Sequence, residues 1–362
     1  MNDPASVLKR WRSALEQWQE ESNTPRILTI DAHTAGEPLR IIIDGFTDLA
    51  AKPILQHRKF IETNLDQLRT MLMWEPRGHS DMYGCMIVPP DPTQEVVADF
   101  GVLFLHNDGY STMCGHGIIA VVSVAVEIEF VPLDQKEVLI DSPAGRIIAR
   151  PHVKDGIVTD VSFENVTSFV VALDQTISTE RFKDLRFDLA FGGAYYAYVN
   201  ADSVGIDLVK ENATELISAG KEIKKAVAEQ IEIKHPHHED LSFLYGVIFV
   251  GPPHDVRNHS RNVCVFANGE LDRSPTGTGV SGRAAIEVAR EQLKFEETIS
   301  IESILGTTFE VTAYPFAGAS RTDSNEDSKE IRPVVRGSAF ITGIHQFIAH
   351  PNDSLRHGFL LR

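Results

Sequence analysis

The sequence predicts an α+β protein built from two pseudo-symmetric halves, each with β-structure and a helix that begins at a small-residue turn. Three observations carry that prediction. Short β-rich runs alternate with turns along most of the 362 residues. Helix-compatible stretches are few and interspersed. A glycine-rich segment at 111–120 can also be laid over a second one at 273–282. Cys114 then falls over Thr276, Gly115 over Gly277 and Gly117 over Gly279.

The elements follow in order. Residues 7–20 read as an amphipathic helix, because Val7, Leu8, Trp11, Leu15 and Trp18 recur at spacings of three and four. Such a stripe reads as a docking face on the parent domain. Residues 27–30 and 40–43 read as strands, 54–73 as a helix, and 86–88, 96–100 and 101–105 as further strands. Residues 138–169 are β-rich. The pattern then restarts, with strands at 187–191 and 195–199, a helix at 213–230, strands at 244–250 and 263–267, and a helix body at 284–292. The stretch 323–329 reads as a polar, solvated loop. His235-Pro236-His237-His238-Glu239-Asp240 reads as an exposed loop, since a proline and adjacent ligands suit a metal poorly. This divides the chain into an N-terminal helical extension (1–25), a first half (26–180, completed by about 345–362) and a second half (181–344).

Composition narrows the function. The chain has 34 Lys+Arg against 51 Asp+Glu, a formal net charge of −17, which disfavours phosphate-bearing partners such as nucleic acid or an anionic membrane. No apolar stretch approaches the roughly 20 residues of a membrane span. The start, Met-Asn-Asp-Pro, lacks a basic segment followed by an apolar one, so a cytoplasmic location is expected and Asn-x-Ser/Thr matches at Asn165, Asn212 and Asn258 are chance. Three dispersed cysteines form neither a disulfide framework nor a zinc cluster. No metal is expected.

The paired glycine-rich segments are where chemistry is expected. A glycine-rich turn entering a helix presents unpaired N–H groups and the positive end of the helix dipole. Two such ends facing each other can hold a carboxylate and stabilise the charge that develops when the neighbouring carbon loses its proton. With no clear pyridoxal-phosphate or metal motif, no cofactor is expected. Cys114, at one of these ends, is the candidate general base, because a helix N-terminus lowers a thiol's pKa from about 8.5. His116 can bind substrate, tune the thiol or pass a proton. Cys85 and Cys264 lie in apolar runs and read as core. Gly277-Thr278-Gly279-Val280-Ser281-Gly282 also spells GxGxxG, with Glu302 at a ribose-binding distance. Residues 270–275 separate it from the preceding strand, so a dinucleotide site is not expected.

The sequence resembles the proline racemase family at residues 31–40, at 77–84, at Met113-Cys114-Gly115-His116-Gly117, at 272–279 and at 337–343. The match runs from about residue 26 to the end. It implies the diaminopimelate-epimerase-like fold, a homodimer and an amino-acid substrate. In the racemases and epimerases two cysteines flank the substrate α-carbon. Cys114 matches the first of them, while Gly115, His116, Asp272, Gly277 and Thr278 match substrate-binding positions. Thr276 stands where the second cysteine belongs, and a hydroxyl cannot replace a thiol as acid or base. The Cys/Thr pair is similar to that of the branch that dehydrates trans-3-hydroxy-L-proline to Δ1-pyrroline-2-carboxylate. In that substrate the α-hydrogen and the hydroxyl share a ring face. Protonation of the leaving group is therefore expected from the Cys114 side, by the thiol or by His116. A proline racemase or 4-hydroxyproline epimerase is the alternative within the family, and an amino-acid-binding relative without activity is a third.

Overall fold

The computed structural model describes residues 4–21, 24–46, 49–236, 239–316 and 330–361. The polar stretch at 323–329, and His237 and His238 of the histidine-rich segment, lie outside the described residues.

Helix α1 (Pro4–Glu21) precedes the first half. Its predicted stripe does not dock: Val7, Leu8, Trp11, Leu15 and Trp18 are all exposed. The helix is tethered at its end, where Arg26 donates to the Gln19 carbonyl and lies over the Trp18 ring.

The first half opens on a hairpin of β1 (Arg26–Thr34) and β2 (Glu37–Asp44). Helices α2 (Ile54–Asn64) and α3 (Asp66–Met73) cross over to β3 (Tyr83–Val88), parallel to β2. The single helix predicted at 54–73 is thus broken at Leu65, whose φ of −127° and ψ of 13° leave the helical region, while the Asp66 carboxylate binds Arg69 in the first turn of the next. β4 (Phe100–His106) runs antiparallel to β3, and β5 (Tyr110–Ser111) folds back on it. Of the strand predicted at 96–100 only Phe100 is in a strand. Asp91 turns the chain by accepting from the Thr93 N–H, and Arg146 takes the Val96 carbonyl. Helix α4 (Gly115–Glu127) then leads to β6 (Val138–Ser142), parallel to β4, and β7 (Gly145–Lys154) and β8 (Ile157–Glu164) follow antiparallel.

β9 (Phe169–Ile177) crosses into the second half and pairs with β10 (Leu185–Phe191), which forms a hairpin with β11 (Tyr195–Asn200). The short α5 (Ala201–Val204) and the long α6 (Ala213–Gln230) cross over to β12 (Leu244–Gly251), parallel to β11. β13 (Ser260–Phe266) runs antiparallel to β12, and β14 (Glu270–Leu271) folds back on β13. Helix α7 (Gly277–Ala289) leads to β15 (Thr298–Glu302), parallel to β13, followed by antiparallel β16 (Thr308–Pro315) and β17 (Ile331–Gly337). β18 (Ala339–Ile348) returns to pair with β1.

The two halves therefore repeat one pairing scheme element by element. Each follows hairpin, parallel crossover, antiparallel return, two-residue strand, central helix, parallel strand and two antiparallel strands. β8 pairs with β17 and joins them, while β9 and β18 each leave one half to extend the other. Helix α4 is apolar on nearly every side, which is the pattern of a fully enclosed helix, while α7 is enclosed with Glu287 buried and paired to Arg283. Residues 115–126 of α4 are all buried, and one hydrophobic core surrounds both helices. Smaller cores lie beneath α6 and beneath α2 and α3.

Candidate active site

The pseudo-symmetry brings the N-termini of α4 and α7 together. A Cβ placed on Gly115 would lie 2.7 Å from the Gly277 Cα, and one on Gly277 equally close to the Gly115 Cα. Only two glycines allow that approach. The cavity beside this contact has about 320 Å³ of empty space. Every predicted site residue lines it: Cys114, Gly115, His116, Asp272, Gly277 and Thr278, with Thr276 among them. The first-turn N–H groups of Gly115, His116, Gly277 and Thr278 have no acceptor within their helices.

Cys114 is the N-cap of α4, and its sulfur accepts from the Gly117 N–H at 3.3 Å. The sulfur lies 3.2 Å from His116 Nδ1 and 3.7 Å from Nε2. A ring N–H of His116 donates to the Pro38 carbonyl, and burial lowers the His116 pKa, so the ring is neutral at pH 7. Thr34 anchors the same residue by donating to its carbonyl at 2.8 Å.

The thiol departs from its expected behaviour. Burial pushes the Cys114 pKa up, and the Asp272 and Glu37 carboxylates add to that push. Hydrogen bonds from the Gly117 N–H and Tyr83 oppose it without reversing it. Desolvation here outweighs the helix terminus.

Thr276 is the N-cap of α7 and has a φ of +68°, rare for a β-branched residue. Its hydroxyl donates to Asp272 Oδ2 at 2.7 Å, while the Ser274 N–H donates to Oδ1 at 2.7 Å. Thr278 is bonded to the Tyr196 hydroxyl at 2.8 Å, and Tyr198 donates to the Gly279 carbonyl at 2.8 Å, fixing the start of α7.

Glu302 is committed elsewhere. It pairs with Arg261, both side chains being 1% exposed, and accepts from Asn258 and from the His254 and Asp255 N–H groups. It is not among the residues that line the cavity at the glycine-rich turns. Cys85 and Cys264 are fully buried in the core. Asn165 is buried too, donating to Gly192 and Ser281.

A family model described as Proline racemase matches residues 29–360. The chain belongs to the proline racemase family. Among its relatives in that family, a protein of Colwellia psychrerythraea named trans-3-hydroxy-L-proline dehydratase is 46% identical, covering 96% of this chain and 97% of its own. A Bacillus cereus protein of the same name is 43% identical (92% and 97% covered), and a Homo sapiens one 37% identical (94% and 96% covered). Two solved structures share the architecture. A hydroxyproline epimerase from Agrobacterium vitis with bound trans-4-hydroxy-L-proline superposes with a TM-score of 0.80 at 28% identity, over 93% of this chain and 96% of that one. A probable proline racemase from Agrobacterium radiobacter K84 gives 0.81 at 28% identity, over 92% and 96%. The fold is the predicted α+β, diaminopimelate-epimerase-like one.

Sequence reasoning in this family centres on the glycine-rich turns, and it missed the aromatic wall. Tyr83, Tyr196, Tyr245 and Phe266 also line the cavity, with Met113. A signal for two of them was present: Tyr83-Gly84 and Tyr245-Gly246 are the same dipeptide at the start of the equivalent strands β3 and β12.

Proposed function

We propose that the protein is a hydro-lyase that dehydrates trans-3-hydroxy-L-proline to Δ1-pyrroline-2-carboxylate. The observation that carries the reading is the pairing of a Cys–His contact at one helix terminus with a threonine, its proton directed to Asp272, at the other. The names of relatives at 37–46% identity support it.

The substrate carboxylate is held by the first-turn N–H groups of α4 and α7, at Gly115, His116, Gly277 and Thr278. Its ring ammonium sits against Asp272 and offsets that carboxylate's share of the rise in the Cys114 pKa, the larger share being due to burial. The thiol then ionises more readily, with neutral His116 as the neighbour that takes its proton. Cys114 removes the α-proton. The electron pair of that C–H bond forms the C2–C3 double bond as the C3–O bond breaks with its pair. The departing hydroxyl receives a proton from the Cys114–His116 pair on the same ring face and leaves as water. The enamine then tautomerises to the cyclic imine. Helix N–H groups that meet the developing charge are worth about 3 kcal/mol each in comparable sites.

On this reading Thr276 fills the second cysteine's place without titrating, which disfavours racemisation. The protein acts on a small amino acid in the cytoplasm, as a homodimer. Incubation with each isomer of proline, 3-hydroxyproline and 4-hydroxyproline tests it. The imine is expected from trans-3-hydroxy-L-proline alone. Epimerisation of proline or 4-hydroxyproline by the natural protein would replace this reading with the isomerase, and substrate-blocked alkylation of Cys114 without any turnover would replace it with a binding protein.

A further inference from the structure

Helix α1 carries an apolar row that the described residues leave exposed to water. Leu8, Trp11, Leu15 and Trp18 recur at intervals of three, four and three, the spacing of a helix–helix seam. Trp11 is 74% exposed, and Trp18 is exposed although Arg26 lies over its ring. None of the four belongs to a hydrophobic core of the chain. The charges of the helix are divided along it: Lys9, Arg10 and Arg12 come first, and Glu16, Glu20 and Glu21 follow. That order runs against the helix dipole, which favours anions in the first turn and cations in the last. A lone helix of 18 residues is marginal in water, and this one lacks both a packed face and favourable end charges.

We propose that α1 is a dimerisation element, pairing antiparallel with α1 of a second copy of this chain about a twofold axis near Ser13. The pairing is independent of the reaction assigned to the cavity. In this register Leu8 meets Trp18 of the second copy, and Trp11 meets Leu15 of the second copy. The twofold repeats both contacts, so each of the four layers sets one tryptophan against one leucine. A parallel pair would instead stack Trp11 on Trp11 and Trp18 on Trp18, beside layers of leucine alone, and could not keep one interhelical distance. Only the antiparallel register also lays the cationic half of each helix beside the anionic half of the other and opposes the two dipoles. Each helix thereby receives from its copy the compensation it lacks alone.

Cross-linking tests the register. By the heptad spacing Ala14 flanks the seam beside the axis, whereas Ser13 points away from it. With a short bismaleimide, Ala14→Cys is expected to link two copies about tenfold more than Ser13→Cys does. The natural protein, whose three cysteines are buried, is the blank. Leu15→Glu, at an exposed position that folding does not depend on, puts a charge into the seam. It is expected to abolish the Ala14→Cys link and to raise the dimer Kd, by analytical ultracentrifugation, about tenfold or more. Equal linking at positions 13 and 14 would overturn the proposal. So would a dimer that Leu15→Glu leaves unchanged, since its interface would lie elsewhere, and so would a natural protein that stays monomeric. None of these outcomes bears on the dehydratase reading, which the panel of proline isomers decides.

Discussion

Thr276 gives its hydroxyl proton to Asp272 across 2.7 Å, on the wall of the cavity that also holds Cys114. That bond commits the hydroxyl proton to Asp272, and a hydroxyl, unlike a thiol, does not ionise near neutral pH, so on the proposed reading the position does not serve as a second base. Thr276→Cys is expected to place a titratable thiol there, at a φ of +68° that a residue without β-branching tolerates better. The variant should gain α-epimerisation of L-proline or trans-4-hydroxy-L-proline, at least tenfold above the natural protein, with loss of dehydration. Chiral chromatography of the recovered amino acid measures it.

The backbone approach of Gly115 to Gly277 leaves no room for a methyl group on either. Gly115→Ala and Gly277→Ala are each expected to push the helix termini apart. The overpacking should cost about 1–3 kcal/mol of stability. Misplacing the N–H groups by about 1 Å should cost about a hundredfold in kcat/KM. Thermal unfolding and dehydration kinetics on the same preparations separate the two effects.

Glu302 is a structural anchor. Burial would raise its pKa, but hydrogen bonds from Asn258, the His254 and Asp255 N–H groups and Arg261 pull it down to about 2. Its unfolded value is near 4.3. A carboxylate depressed on folding contributes stability that is complete above the unfolded value and is lost as pH falls toward the folded one. Glu302→Gln should therefore cost about 3–5 kcal/mol at pH 7, because it leaves Arg261 buried without its partner. The gap between variant and wild type should close between about pH 5 and pH 2, as urea unfolding at each pH would record.

The parts of this molecule legible in its sequence were those with a local cause. The repeat of Cys114-Gly115-x-Gly117 at Thr276-Gly277-x-Gly279 foretold the pseudo-twofold arrangement, because only glycine permits two backbones to meet there. The amphipathic pattern of α6 foretold its bounds, since Leu216, Ala219, Gly220, Ile223 and Val227 form one buried face. What local pattern does not encode is tertiary context. Val96 and Val97 have strand propensity but no neighbouring strand, and they remain exposed. Cys114 has the helix terminus expected of an acidic thiol, yet the carboxylates beside it come from Glu37 and Asp272, each far away in sequence. Tyr83 and Tyr245 reach the site from equivalent strands of different halves, so their role needed the repeat to be followed beyond the glycines.

The raised Cys114 pKa carries its own test. A thiol is alkylated in proportion to its thiolate fraction. In the free protein, burial first and then Asp272 and Glu37 hold Cys114 protonated at neutral pH. Its labelling by iodoacetamide, mapped by mass spectrometry, should be slow at pH 7 and rise about tenfold per pH unit through pH 9. A plateau reached below pH 8 would mean that the thiolate is already formed. Asp272→Asn removes one upward push, so the variant should label several-fold faster at pH 7. On the proposed reading the same substitution removes the partner of the substrate ammonium, so dehydration should fall by at least a hundredfold. Reactivity and turnover moving in opposite directions would separate an electrostatic role for Asp272 from simple damage to the site, which would lower both.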